Sequence, residues 1–291
     1  MGNPVSNPAS NPASNGAPAD RRPLDLDALR AAVAADGAGW GPVDLAESIG
    51  SSNTALADRA RRGDATHGAV LVVEEQTAGR GRRERGWVAP KYSSAMFSVL
   101  LEPSVDRARW GWLPLLAALA VSDALGVCAQ VEPGIKWPND VMLDEQKVAG
   151  ILSEVIVTPQ GPGVVVGVGI NVNQSQDELP MADATSVCLA AGRVDRAGVV
   201  VACLRELDKW YHRWVDEGPD GDSLVAAYGR RSSTLGRAVR VLLPDGQELR
   251  GVASRIDAGG HLVVQVDGAD RVVAAADVVH LRPDEAPGLS R

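Results

Sequence analysis

The sequence predicts an α+β fold, a mixed β-sheet backed by α-helices and followed by a small C-terminal β-barrel. Three observations carry that reading. Apolar runs at Ala69–Glu75, Ser94–Leu101 and Val164–Val172 have the length and continuity of buried strands. Trp110–Leu125 and Val199–Val215 have helical length, the second with an apolar stripe through Leu204, Leu207 and Trp214. After about Thr234 short β-branched runs alternate with turns at Pro244–Gly246, Ala258–Gly260 and Asp267–Gly268. That spacing, with turn signals roughly every 8–12 residues, indicates a small barrel.

The elements follow in order. The start reads NPVS-NPAS-NPAS-NG, a repeat that cannot bury apolar area, so residues 1–22 are expected to form a disordered tail. Leu26, Leu29 and Val33 predict a helix over Leu24–Ala35. Val43–Ile49 reads as a strand, and Ser51 or Ser52 as the cap of a helix running to Arg61. Ala69–Glu75 is expected to be a central strand of the sheet. Pro114 suits the first turn of the Trp110–Leu125 helix. Val131–Lys136 and Val141–Leu143 flank a turn at Trp137–Asp140, and after a second turn at Asp144–Gln146 the chain returns as a strand over Lys147–Val157. Gly167 and Gly169 in the next strand allow close backbone approach. The expected units are the tail, a main body over residues 23–234 and a barrel over residues 235–291.

Composition narrows the function. Hydrophobic residues make up 45% of 291, enough for a substantial core. No uninterrupted apolar run reaches about 18 residues and no secretory signal opens the chain, so no membrane association is expected. Cys128, Cys188 and Cys203 are scattered without CxxC spacing, as reduced thiols of a cytoplasmic protein are. A net charge of −8 argues against nucleic acid as a partner. The local exception is GRGRRERGW at Gly79–Trp87, where Arg80, Arg82, Arg83 and Arg85 face only Glu84. A basic loop on an acidic protein suits a small anion such as a nucleotide.

Two segments carry chemistry. In the arginine loop, Gly79, Gly81 and Gly86 free the backbone to approach a ligand, and arginines bind phosphate or carboxylate through forked hydrogen bonds. The loop lacks the GK[ST] of a Walker phosphate loop, and a solvated basic loop would look similar. The second segment, KWPNDVMLDEQKVAG at Lys136–Gly150, holds two of the chain's four lysines; the others are Lys91 and Lys209. Pro138 restricts Trp137 to extended conformations, and Asn139 and Asp140 favour a turn. Lys136 and Lys147 thus flank a hairpin from which both ammonium groups can offset charge on a phosphate or carboxylate. No GxSxG nucleophile or histidine metal cluster appears, and His67, His212, His261 and His280 are dispersed. The chemistry expected is positioning of two substrates and charge stabilisation, without a covalent enzyme intermediate.

The ordered set SSN (Ser51–Asn53), EEQTAGRGRRERGW (Glu74–Trp87), KWPNDVML with KVAGIL (Lys136–Leu152) and GVGINVN (Gly167–Asn173), with a small barrel after it, resembles the biotin protein ligases. The resemblance spans roughly Val43–Arg282 and implies a class II aminoacyl-tRNA synthetase-like catalytic domain with helices on one side of its sheet and a C-terminal SH3-like barrel. It also implies a two-step reaction: biotin and MgATP give biotinyl-5′-adenylate, then biotin passes to a lysine of the carrier domain of an acyl-CoA carboxylase. By motif, Ser51, Ser52, Asn53 and Gln76 line the biotin site, with Arg80, Gly81 and Arg82 from the loop and Gly150 through its backbone. Lys147 is implied as the principal active-site lysine, Lys136 as a second lysine on the phosphate side, and Arg82 as a contact to the acyl-phosphate. Asn139, Asp140 and Asn171 fall to the adenylate, with Trp87 packing over the closed loop. Magnesium ligands are not implied. Glu84 stands where many relatives have glycine, and Ser52 where threonine is common. About forty residues precede the first strand of the body, too few for the DNA-binding module of many relatives, so a ligase without DNA binding is expected, monomeric or weakly dimeric. Two rivals remain: a lipoate or octanoate ligase or transferase of the same general fold, and a biotin-sensing protein without catalysis.

Overall fold

The computed structural model describes residues 21–281 except 36, 83, 84, 219, 220 and 275. Strands β1 (Val43–Ala46), β2 (Val70–Val73), β5 (Ser94–Leu101), β6 (Gly134–Lys136), β7 (Asp140–Leu143), β8 (Gln146–Thr158) and β9 (Gly161–Asn171) build one seven-stranded sheet. Its order is β1-β2-β5-β9-β8-β7-β6, and only β1 and β2 pair in parallel. The strand expected to be central, Ala69–Glu75, is shorter and lies second from one edge. Helices on both of its faces bury it; β5 and β9 hold the middle.

Side chains on successive strand residues point to opposite faces, and both faces here are apolar. Val70, Val72, Phe97, Val99, Val166 and Val168 join one core with helices α1 (Leu26–Ala35), α3 (Leu113–Ala129) and α5 (Arg196–Asp216). The alternate residues Leu71, Val73, Met96, Leu100 and Val165 join a second core under α2 (Ser52–Arg62). The expectation of helices on one side is therefore corrected: α2 covers part of the other face. It does so because Leu56, Ala57 and Ala60 form a narrow apolar stripe that a patch of small and branched side chains accommodates.

Helix α3, with the 3-10 turn Arg107–Trp112 before it, is long and apolar enough to cross a membrane, yet 67% of its apolar window is buried inside the protein. It is the core helix of the larger layer. Short helices α4 (Val187–Ala191) and α6 (Asp222–Arg231) complete the body. Most of the expected tail lies outside the described residues, but Arg21 and Arg22 depart from that expectation. Arg21 pairs with Glu178 and donates to the Asn173 carbonyl at 2.9 Å, and buried Arg196 donates to the Arg22 carbonyl at 2.6 Å. The Arg21 guanidinium holds the Glu178 carboxyl down at about 2.

Strands β10 (Ala238–Leu242), β11 (Glu248–Ile256), β12 (Leu262–Val266), β13 (Ala269–Val273) and β14 (Asp277–His280) form the antiparallel C-terminal unit, in the order β13-β12-β11-β10-β14. Its inward residues, including Val239, Val241, Leu262 and Val264, continue the main core. Two indoles pin it: Trp112 Nε1 donates to the Ala258 carbonyl at 2.8 Å and Trp137 Nε1 to the Gly260 carbonyl at 3.3 Å. Gly111 permits this approach, since a Cβ there would stand 2.5 Å from the Gly259 carbonyl oxygen.

Candidate active site

The site lies on the α2 face of the sheet, at the mouth of that helix. Ser51 caps α2, its hydroxyl 3.5 Å from the Thr54 N–H. The next orphan donor, Ser52 N–H, gives its hydrogen to Gln76 Oε1 at 2.8 Å. Asn53 is fixed from three sides: Nδ2 donates to the Leu152 carbonyl and Glu154 Oε2, both at 3.0 Å, and Oδ1 accepts from Ser98 Oγ at 2.7 Å. Ser98 Oγ also lies 2.8 Å from Ser52 Oγ. A hydroxyl carries one proton, and Asn53 Oδ1 can only accept; Ser98 therefore donates to Asn53, and Ser52 is left to donate to Ser98 or Gln76. Ser52, Asn53 and Gln76, joined through Ser98, thus form one connected polar wall, with the helix cap Ser51 beside it.

The floor beside this wall is glycine. Cross-strand register aligns Met96 with Gly169, Gly169 with Gly150, Gly150 with Asp140 and Asp140 with Lys136, one row across β5, β9, β8, β7 and β6. Residues directly opposite share a face, so the row lies with Met96 under α2. The Trp87 indole rests on it: a Cβ on Gly169 would stand 2.6 Å from Trp87 Cε2, and one on Gly150 would stand 3.2 Å from Cζ3. One row further, a Cβ on Gly167 would meet Asn53 Oδ1 at 2.0 Å. The Trp87 Nε1 donor is buried and has no protein partner. Trp87 therefore lines the floor itself, beyond the expected role of packing over the loop.

Lys147 enters from the start of β8, its Nζ 2.6 Å from Asp140 Oδ1 and close to Gly150, where a Cβ would stand 3.1 Å from Nζ. Its backbone is clamped by the Asp183 carbonyl at 2.8 Å and the Thr185 N–H at 2.9 Å. Lys136 stands at the other end of the row, where its charge acts on His280 and Glu145. The two lysines therefore flank Asp140, Lys136 as its cross-strand neighbour and Lys147 through an ion pair from its ammonium. Asn139 is structural as well as polar, with Nδ2 donating to the Ile151 carbonyl at 2.7 Å. Asn171 lies on the same face but is 4% exposed, its Nδ2 donating to the Thr185 carbonyl at 3.0 Å and its Oδ1 accepting from Gln174 at 3.1 Å. One amide hydrogen and one lone pair of Oδ1 are what remain for a ligand.

The arginine loop folds as a ribbon of β3 (Gly79–Arg80) and β4 (Gly86–Trp87), closed by the Gly81 N–H donating to the Arg85 carbonyl at 2.6 Å. Glycine is required at Gly79, where a Cβ would stand 2.3 Å from the Trp87 carbonyl oxygen. The ribbon's arginines reach four different places in the fold. Arg80 pairs with Glu154 at 2.9 Å and lies 3.4 Å from Thr54 Oγ1; Arg82 lies 3.5 Å from Asn139 Oδ1; Arg85 pairs with Asp277 at 2.8 Å. Arg83 and Glu84 fall outside the described residues. Sequence reasoning missed Ser98, Glu154 and Thr54. Ser98 is the one polar residue in the middle of an apolar strand, and that was the available signal.

Comparison with known proteins accords with this geometry. Residues 45–171 match the biotin/lipoate A/B protein ligase family and residues 234–281 the biotin protein ligase C-terminal domain. The chain is 43% identical over 267 residues to the biotin--[acetyl-CoA-carboxylase] ligase of Mycobacterium tuberculosis, covering 90% of this chain and 97% of that protein. It is 32% identical over 233 residues to the bifunctional ligase/repressor BirA of Bacillus subtilis, covering 78% of this chain and 71% of that one. In fold it matches the biotin protein ligase of Aquifex aeolicus in complex with biotin and ATP, with a TM-score of 0.72 at 24% identity, over 83% of this chain and 100% of the other. The match of the main body and of the C-terminal unit, with the ligase relatives, places this chain among the ligases. The chain belongs to the biotin protein ligase family.

Proposed function

We propose that this chain is an ATP-dependent biotin protein ligase that biotinylates the carrier domain of an acyl-CoA carboxylase. The observation that carries it is the junction of two unlike surfaces over one floor. The Ser52–Asn53–Gln76 wall, with Ser51 beside it, offers hydrogen-bonding groups suited to a ureido ring, and the Lys147–Asp140 pair stands across Gly150 and Gly169 from it. An aliphatic tail fits along glycine and Trp87, which brings a carboxylate to Lys147.

In the first step a biotin carboxylate oxygen attacks the α-phosphorus of MgATP, forming the acyl-phosphate bond as the bond to pyrophosphate breaks. Two anions must approach, and Lys147, Arg82 and Lys136 supply the offsetting charge. Asp140 orients Lys147, and Asn139, Asn171 and the open indole donor of Trp87 serve the nucleotide. Gln76, Arg80, Gly81 and Gly150 complete the biotin side. Magnesium would enter with the nucleotide and offset charge on its phosphates. In the second step the acceptor lysine amine attacks the acyl carbon and AMP leaves. The ribbon over the floor keeps water from the mixed anhydride between steps. We take residues 23–234 as the catalytic unit and the following residues as the barrel, acting as a monomer or weak homodimer without nucleic acid.

The test is biotin-dependent exchange of labelled pyrophosphate into ATP by the purified chain, followed by transfer to a carrier domain. Exchange supported by lipoate and not by biotin would favour the lipoate reading. Biotin binding without exchange would favour a sensor.

A further inference from the structure

Gln174 follows β9 and folds back over its last residue, Asn171. Asn171 and Ser94 are cross-strand partners of β9 and β5, one row beyond the Met96–Gly169 pair on the same face. Gln174 is 1% exposed, and its Nε2 donates to Ser94 Oγ at 2.6 Å and to Asn171 Oδ1 at 3.1 Å. Its backbone is fixed by Ser186, the N-cap of α4, whose hydroxyl donates to the Gln174 carbonyl at 2.7 Å. On the other side of Asn171, Nδ2 donates to the Thr185 carbonyl at 3.0 Å, and the Thr185 N–H donates to the Lys147 carbonyl at 2.9 Å. The Thr185 carbonyl can only accept and therefore faces Asn171 Nδ2. Oδ1 is thereby turned to Gln174, which must present Nε2. Gln174 Oε1 is left buried without a protein partner, a costly arrangement that the need of Asn171 Oδ1 for a donor explains.

We propose that Gln174 is a positioning residue for the purine base of the nucleotide, acting through the Asn171 amide. This role rests on the ligase reading above, in which Asn171 serves the nucleotide. An asparagine amide turns about a soft, nearly two-fold torsion, and one hydrogen bond leaves that rotation partly free. Bonds on both Oδ1 and Nδ2 fix its plane. The N–H and the lone pair that remain then point in set directions, one donor and one acceptor. The edge of adenine offers the matching pair, an amino N–H and a ring-nitrogen acceptor, whereas a 6-oxo purine offers two acceptors at N7 and O6. A pinned amide therefore favours adenine and sets its own acceptor against that of a 6-oxo purine. Gln174 touches no substrate; it sets how strictly the base is read. Thr185 ties the same amide to the Lys147 backbone, so the base and the reacting carboxylate share one support.

The experiment compares the full chain with Q174M, which keeps the volume and removes the donor, and with S94A, which removes the second anchor of the Gln174 amide. Biotin-dependent pyrophosphate exchange is measured with ATP and with inosine triphosphate, the 6-oxo analogue. In Q174M the ATP KM is expected to rise about tenfold with kcat within about twofold, and the preference for ATP in kcat/KM to fall about tenfold. In S94A the preference is expected to fall about threefold, and in both variants the biotin KM stays at the wild-type value. A purely structural role would lower stability or kcat and leave the preference untouched. An unchanged preference in Q174M therefore overturns the proposal, as does a wild-type chain that uses both nucleotides equally. If Q174M fails to fold, the preference of S94A decides. Absence of exchange with either nucleotide sinks the ligase reading, and calorimetric titration of the two nucleotides into the same chains then decides whether Gln174 sets the preference.

Discussion

The carboxamide oxygen of Asn53 lies 2.0 Å from where a Cβ would stand on Gly167, so the helix mouth reaches the sheet only because that residue has no side chain. Asn53 cannot yield easily, since its amide is held by Leu152, Glu154 and Ser98. Gly167 is therefore as much a part of the proposed biotin site as the polar residue above it.

Gly167→Ala is expected to displace Asn53, lower stability by about 1–3 kcal/mol and raise the biotin KM at least about tenfold. Gly229→Ala in α6 is the control, because a Cβ there meets nothing within 4 Å. Unfolding curves and steady-state kinetics together check this; an unchanged biotin KM in Gly167→Ala would refute the assignment.

Lys147→Ala removes the cation placed beside Gly150 and leaves Asp140 unpaired at that point. Adenylate formation is expected to fall by about two to three orders of magnitude, the range for losing one preorganised charge partner in a transition state. Lys136→Ala, at the barrel end of the row, is expected to cost less. Pyrophosphate exchange rates measure both, and near-normal exchange in Lys147→Ala would sink its role.

Ser98→Ala leaves Asn53 Oδ1 without its hydroxyl donor in a fully buried place. An unsatisfied buried acceptor costs about 1–3 kcal/mol, and the loss is expected in biotin affinity as well as in melting temperature. Calorimetric titration of biotin is the check, with wild-type affinity the contrary outcome.

Glu74 and Arg196 form a buried ion pair at 2.7 Å, with side-chain exposures of 2% and 6%. Arg196→Met strands the Glu74 charge in the core, and the expected loss is about 3–5 kcal/mol. The Glu74→Leu, Arg196→Met double variant is expected to recover much of it. Chemical denaturation tells the outcomes apart; a double variant no better than the single would contradict the desolvation argument.

Acid stability follows from His280 and Glu178. The folded protein holds His280 down at about 4, against an ordinary value of 6.5, so the unfolded chain binds the extra proton between those limits. Stability contributed there is full above pH 6.5 and is lost as pH falls towards about 4. Glu178, lowered from 4.5 to about 2, adds a second loss as pH falls through that lower window. His280→Gln is expected to reduce the upper-window slope, leaving the part contributed by His67, which burial also holds below 6.5, and to leave the lower window unchanged; melting temperatures from pH 8 to pH 3 would show it. An unchanged upper slope would exclude His280 as the cause.

The sequence by itself determined the elements and the chemistry they carry. Apolar runs of strand and helix length mark β5, β9, α3 and α5, because burial periodicity is a local property of the chain. Scarce lysines and clustered arginines announce an anionic ligand for the same reason. Tertiary structure alone decided which residues meet. Glu154 looks ordinary in sequence and Ser98 stands out only as a polar residue inside an apolar strand; register across β5, β9 and β8 is what puts them around Asn53. The placement of α2 on the face opposite α3 and α5, the offset position of β2, and the reach of Asp277 to Arg85 are likewise set by contacts between distant segments. Pairing register and layer choice are settled by the joint packing of many side chains, and no window of adjacent residues contains that information.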